Sequence, residues 1–293
     1  MYTHKENNKE KRMRDIHLVR YFSSIVTISN GKVIKVTKPA ISYCPLAGCL
    51  YGGIKKSAWL STAQLKAEIK QIIESKISKF GFCTKDRMLW KDDAVIPYGA
   101  SELLAHGLKN RAIDSAVTVC DGAGTVVTSI PQVVQGIGAR MHTMLKTSHI
   151  PWITVKLRRY GCHVLNEKGA INQKAGVIEA AKKGHKRVAV TVNAFGGENL
   201  KNIRALESRC GISLTILAVC TTGIKEDRLT EIKKYSDIVW ACHSKDIRNR
   251  LDKKAMEILS SAAPVYILTQ KGKEFISGYS PNVFGIRKEI KRS

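Results

Sequence analysis

The chain has 293 residues, 44% hydrophobic and only 6% aromatic, with a net charge of +25 from 49 Lys and Arg against 24 Asp and Glu. Such a composition builds a globular protein with an aliphatic core and excludes a fibrous, low-complexity or disulfide-stapled secreted chain. The charge attracts anions, but the basic residues are scattered rather than interleaved with aromatics, so a solvated basic surface is expected ahead of a nucleic-acid face.

Residues 1–16 are polar and are expected to form a disordered tail. No apolar leader segment opens the chain, and no run reaches the ~18 apolar residues of a membrane span, so a cytoplasmic protein with reduced thiols is expected. An N-terminal hairpin and helix region is expected over 17–115 and an α/β core over 116–293, read either as two units or as one continuous domain. Ile25–Ile28 and Val33–Val36 flank Asn30-Gly31, whose tolerance of positive φ predicts a type I′ hairpin. A loop with Cys44 and Cys49 follows. Leu65, Ile69, Ile72, Ile73 and Ile77 then recur at helical spacing, with Ser61 or Thr62 as N-cap and Gly81 past the end. Ser101 is expected to cap a helix running to about Lys109.

Ala116 to Cys120 reads as a strand entering the turn Asp121-Gly122-Ala123-Gly124, and Pro131 suits the first turn of the next helix. Beyond residue 174 the pattern becomes regular. A helix ending at Gly184 leads to the strand 188–192, a helix 198–209 to 214–219, a helix 225–235 to 238–241, and a helix 253–260 to 265–268. Strands alternating with helices of this length predict βαβ units and a parallel sheet.

Residues just after parallel strands gather along one sheet edge, which is where open α/β sheets bind ligands. Cys120, Cys220 and Cys242 are expected at such positions. Backbone N–H groups there stabilise anions and thiolates, and Asp121 offers proton transfer beside Cys120. Each thiol read alone is as well explained as a small buried hydrophobe. The turn at Asp121 fits neither the dinucleotide fingerprint nor a Walker A loop, and no paired Cys-x-x-Cys sequence supports a structural zinc site. An iron-sulfur cluster or other thiol-bound metal, assembled from dispersed cysteines such as Cys120, Cys242 and Cys44, stays open.

Val119-Cys120-Asp121-Gly122-Ala123-Gly124-Thr125-Val126 and Val134-Gln135-Gly136-Ile137-Gly138-Ala139-Arg140-Met141 resemble the family called methanogenesis marker protein 8. So do Tyr43-Cys44-Pro45-Leu46, Gly99-Ala100-Ser101-Glu102, Thr221-Thr222-Gly223 and Ser244-Lys245-Asp246-Ile247-Arg248, over roughly residues 30 to 275. The resemblance implies a role near methyl-coenzyme M reductase, its cofactors or its maturation, an association rather than a mechanism. The chain departs from the family pattern at Cys220, where the family has His, and at His142 and His243. Cys220 therefore ranks below Cys120 and Cys242.

The sequence thus predicts an α/β protein that binds a small anionic ligand or cofactor for thiol- or metal-dependent chemistry, with Cys120 and Asp121 as the catalytic pair. Gly122, Gly124, Thr125, Arg140, Ser101, Glu102, Thr222, Gly223 and Lys245 are the candidate ligand contacts. Two alternatives remain from other classes: a non-catalytic assembly factor docking an acidic complex such as methyl-coenzyme M reductase, and nucleic-acid binding driven by charge.

Overall fold

The computed structural model describes residues 15–41, 60–140, 143–241, 244–260 and 263–281. The expectations placed on residues 1–14, Cys44, Cys49, His142, Cys242 and His243 lie outside them. A four-stranded antiparallel sheet is ordered β3-β2-β1-β6, from β1 (His17–Tyr21), β2 (Ser24–Ser29), β3 (Lys32–Val36) and β6 (Thr143–Lys146). Asn30 and Gly31 have φ of 48° and 69° and join β2 to β3 in the expected hairpin. Helix α1 (Thr62–Phe80) lays Leu65, Ile69, Ile72 and Ile73 on this sheet, opened by a Ser61–Gln64 capping box and closed by left-handed Gly81.

The larger sheet has eight strands in the order β11-β12-β10-β9-β8-β4-β5-β7. Its centre is parallel: β4 (Ser115–Cys120), β8 (Arg187–Asn193), β9 (Ser213–Val219) and β10 (Ile238–Trp240). Side chains alternate between faces, so Val188, Val190 and Val192 enter one core layer while Ala189 enters the opposite one. The first layer is covered by α5 (Gln173–Lys182), α6 (Leu200–Arg204), α7 (Leu206–Cys210), α8 (Glu226–Tyr235) and α9 (Lys245–Leu251). The second is covered by α2 (Ala100–Lys109), α3 (Pro131–Gly138) and α10 (Gln270–Phe275). Helix α4 (Pro151–Arg159) buries Ile153 and Leu157 against the turn that follows β4.

The flanks of this sheet depart from the parallel expectation. Beyond Cys120 the chain doubles back as β5 (Gly124–Thr128), antiparallel to β4, and β7 (His163–Val164) pairs with it in turn. Residues 253–260, expected as a helix, are a turn and the edge strand β11 (Glu257–Leu259); the helix lies earlier, at α9. Strand β12 (Val265–Ile267) runs antiparallel to β10, which carries Thr269–Gly272 to the opposite edge from the parallel strand ends. The expected helix 198–209 breaks at Ala205 into α6 and α7. Ser101 is not the cap of α2: Gly99 holds that position, and the Ser101 hydroxyl turns to Glu102 at 2.8 Å.

Strand β1, which periodicity did not reveal, is central in the smaller sheet, pairing antiparallel with β2 on one side and β6 on the other. Its His17 is fully buried, with Nδ1 2.6 Å from the Thr147 hydroxyl. Burial lowers the His17 pKa below its ordinary value, only partly opposed by Asp15 and Asp121. The unfolded chain therefore takes up a proton near pH 6.5 that the native state refuses, so this contribution to stability is present above pH 6.5 and lost as pH falls below it. Urea denaturation between pH 7.5 and 5 should show a steeper loss for the wild type than for His17→Gln, the difference approaching ~1.4 kcal/mol per pH unit. Parallel profiles would refute the assignment.

Candidate functional site

Cys120 and Asp121 occupy the end of β4 and the β4–β5 turn, and both are fully buried. One Asp121 oxygen accepts from Arg87 Nε at 2.8 Å and the other from the Cys83 backbone N–H at 2.6 Å. Arg87 is itself buried, stacks 3.9 Å over Phe82, and also donates to the Met88 and Ile137 carbonyls. Both carboxylate oxygens are thus committed to the fold. Burial pushes the Cys120 thiol well above its ordinary pKa, and the Asp121 charge adds to the effect. The sulfur is a neutral donor to the Asp121 carbonyl at 3.3 Å, packed with Leu89, Ala123, Ile137 and Ile153.

The neighbouring candidates are packed the same way. Gly122 and Gly124 have φ of 74° and 76°; a Cβ at Gly122 would meet Ile153 at 2.5 Å, and one at Gly124 would meet the Ala170 carbonyl at 2.3 Å. These glycines let the turn approach its neighbours closely. The Thr125 hydroxyl donates to Gln173 Oε1 at 2.8 Å and accepts from the Asn172 N–H. Lys245 is exposed on the first turn of α9, away from the cleft described next.

A cleft of about 410 Å³ opens where the parallel strands end, between the two sheets. Its floor is the ends of β8, β9 and β10, with Asn193, Cys220, Thr222 and Trp240. One wall is β1 and β6, with Arg20 and Met144, and the other is the start of α2 and the end of α3, with Ser101, Glu102 and Arg140. The topology therefore gathers Ser101, Glu102, Arg140 and Thr222 around one space and leaves Cys120, Asp121, Gly122, Gly124, Thr125 and Lys245 outside it. Gly223 flanks the space, where an added Cβ would lie 3.6 Å from the Arg20 guanidinium.

Arg20 had no signal beyond a charged residue inside the short apolar run Leu18-Val19-Arg20-Tyr21, yet it dominates the cleft. It is 7% exposed and no described carboxylate pairs with it. Nη1 donates to Cys220 Sγ at 3.0 Å, and Nη2 to the Ser23 hydroxyl at 3.1 Å and the Thr222 carbonyl at 2.6 Å. A guanidinium has five N–H donors, so two have no acceptor among the described residues. Phe195, 43% exposed, lies 3.8 Å from the guanidinium carbon and covers its outer face.

The acids that line the cleft do not neutralise this charge. Glu102 accepts from the Val95 N–H at 2.9 Å, from Gln135 and from Ser101; Glu198 accepts from the Gln173 and Lys174 N–H groups at the start of α5. Arg140 is paired with Asp93 at 3.2 Å and stacks 4.8 Å over Phe80. The lining is also strained. Phe22, Ser23, Arg140 and Cys220 have φ of 49°, 57°, 62° and 60°, four of the eight non-glycine residues with positive φ among those described. Left-handed backbone costs such residues roughly 1–2 kcal/mol each, and strain of this kind collects at functional sites. Among the described residues no three His, Cys, Asp or Glu side chains converge as a metal site, and no helix is long and apolar enough to cross a membrane.

Residues 17–279 match the family described as an uncharacterized protein conserved in archaea, DUF2099, and the chain belongs to that family. It is 39% identical over 252 residues to an uncharacterized protein of Methanocaldococcus jannaschii, a span covering 86% of this chain and 85% of that protein.

The buried pair gives a direct test of what the β4–β5 turn does. Asp121→Asn keeps the shape but leaves Arg87 charged and unpaired in the core, so urea denaturation should show a loss of about 3–5 kcal/mol. A loss below ~1 kcal/mol would show that the carboxylate is dispensable to the fold.

Proposed function

We propose that this member of the archaeal family binds a small organic anion in the cleft between its two sheets, with Arg20 as the anion-binding group. The observation that carries the reading is a buried guanidinium with no carboxylate partner and two N–H donors left over, facing an open space. Burying a charge costs several kcal/mol unless it is compensated, and a bound anion supplies the compensation. Much of the lining, with Ile96, Leu104, Val119, Val134, Met144 and Trp240, is apolar. It suits a ligand with a hydrocarbon or ring body and a single anionic end, the usual division of labour in small-molecule sites. Thr222 on the floor and Ser101 on the wall stand where they can orient polar substituents. The position beyond parallel strand ends is the one that open α/β sheets use for ligands.

A second reading, that the protein docks an acidic complex such as methyl-coenzyme M reductase, draws on a different region. Trp152 and Trp90 are 61% and 47% exposed, Trp152 on α4 and Trp90 against Tyr160 at the end of that helix, with Lys156 and Arg159 on the same helix. Exposed aromatics beside basic residues suit a protein interface. The net charge and the family's presence in Methanocaldococcus jannaschii support it further. The cleft reading leads because it explains the uncompensated charge of Arg20, which a surface around Trp152 does not.

Calorimetry with a panel of small mono- and dicarboxylates, phosphate and sulfate tests the leading reading. Wild type should bind at least one organic anion, and Arg20→Met should weaken that binding about 10- to 100-fold, the worth of charge-assisted hydrogen bonds. Equal binding by Arg20→Met, or binding lost equally in Trp152→Ala, would overturn it.

A further inference from the structure

We infer that Cys220 is a thiol nucleophile toward the anion that Arg20 holds, an organic carboxylate whose electrophilic carbon lies one or two bonds from the carboxylate. The inference rests on the anion-binding reading of the cleft and adds a reaction to it. Of the described cysteines, Cys83, Cys120 and Cys162 are buried, while Cys210 and Cys220 are partly exposed. Cys220 alone of these five lines the cleft.

Its placement is over-determined. Cys220 takes a left-handed φ of 60° directly after β9, a conformation disfavoured for any side-chain-bearing residue. On its far side the Thr221 hydroxyl anchors the turn to the Trp240 carbonyl at 2.6 Å, and on its near side Arg20 reaches Sγ at 3.0 Å. Reactive cysteines sit in electropositive, partly exposed surroundings of this kind, and inert ones are sealed in apolar cores, as Cys120 is. The same guanidinium that contacts Sγ has two donors free. A carboxylate that accepts from the second Nη1 N–H at the ordinary ~2.9 Å sits beside the sulfur held by that same nitrogen, which brings its α or β carbon to the ~3–3.5 Å of a near-attack arrangement.

The step is a displacement. A bond forms between Sγ and the electrophilic carbon, and the bond from that carbon to its leaving group breaks with the electron pair departing on the leaving group. The thiol proton passes to water at the cleft mouth. No oxidant or reductant takes part, and the product is a thioether on Cys220.

Iodoacetate and iodoacetamide deliver the same carbon to sulfur with and without a carboxylate, and so separate anchoring from intrinsic reactivity. Alkylation rates at each cysteine, read by peptide mass spectrometry, should favour iodoacetate at Cys220 by on the order of tenfold relative to the ratio at Cys210 in the same chain, the lower end of enrichment by a focused field. Arg20→Met should abolish the preference and Arg20→Lys should keep part of it, while continued protection of Cys120 and Cys162 from either reagent verifies that each variant is folded. The same iodoacetate ratio at Cys220 and Cys210 would overturn the inference. If acetate or phosphate still slows labelling of Cys220 in that case, anion binding stands and only the nucleophile falls. If neither effect is seen, both fall.

Discussion

The ion pair between Arg87 and Asp121 is the constraint from which the rest of the site follows. It lies in the core, and the arginine reaches three segments far apart in the chain: its own loop, the β4–β5 turn and the end of α3. Removing one partner would strand a charge in a medium that cannot solvate it, so the pair ties the three segments together. The turn is thereby pinned beneath α4, and α3 is held where its C-terminal end forms a wall of the cleft. A carboxylate that looks catalytic in the sequence is in this fold a fastening.

The cleft shows the opposite electrostatic state. Arg87 has a carboxylate; Arg20 has a sulfur, a hydroxyl and a carbonyl. Neutral acceptors ease the desolvation of a guanidinium without cancelling its charge, and the remaining field extends into the open space. The Phe22-Ser23 hairpin turn contributes to this arrangement. A type I′ turn built from two non-glycine residues is costly, yet its register, Tyr21 opposite Ser24, brings the Ser23 hydroxyl to the guanidinium. The turn after β9 repeats the pattern, with Cys220 in a left-handed conformation against the same arginine. Left-handed backbone thus lies on both sides of one cation.

The parts of the fold legible in the sequence were those governed by local rules. Asn30-Gly31 can hardly be anything but a tight hairpin turn; Ser61, the apolar spacing from Leu65 to Ile77, and Gly81 delimit α1 at both ends; and β8 and β9 are apolar runs between helices. Strands β5, β7 and β11 were not legible, because each is short and is stabilised by its partner strand rather than by its own pattern. Residues 253–260 carry helical composition, and pairing with β12 overrides it at Glu257–Leu259. The strings that resemble methanogenesis marker protein 8 include Thr221-Thr222-Gly223 after β9 and Gly99-Ala100-Ser101-Glu102 at the start of α2, whose residues do lie in or beside the cleft. The resemblance also lowered Cys220 in rank for departing from the family pattern, whereas the structure puts that residue against Arg20.

By itself, the sequence determined the α/β class, the hairpin, the principal helices and the sheet edge at which the parallel strands end. Each of these follows from periodicity, capping or turn chemistry within a window of some twenty residues. Only the tertiary structure decided which strand-end residues face a common space. Cys120 and Cys220 both end parallel strands, but the chain after β4 turns back antiparallel and seals Cys120 under α4, while the chain after β9 stays open beside β1. The side chain that distinguishes them, Arg20, is two hundred residues away from Cys220 in the chain. Strand pairing and charge burial at that separation leave no periodic trace, so the site became visible only when the two sheets came together.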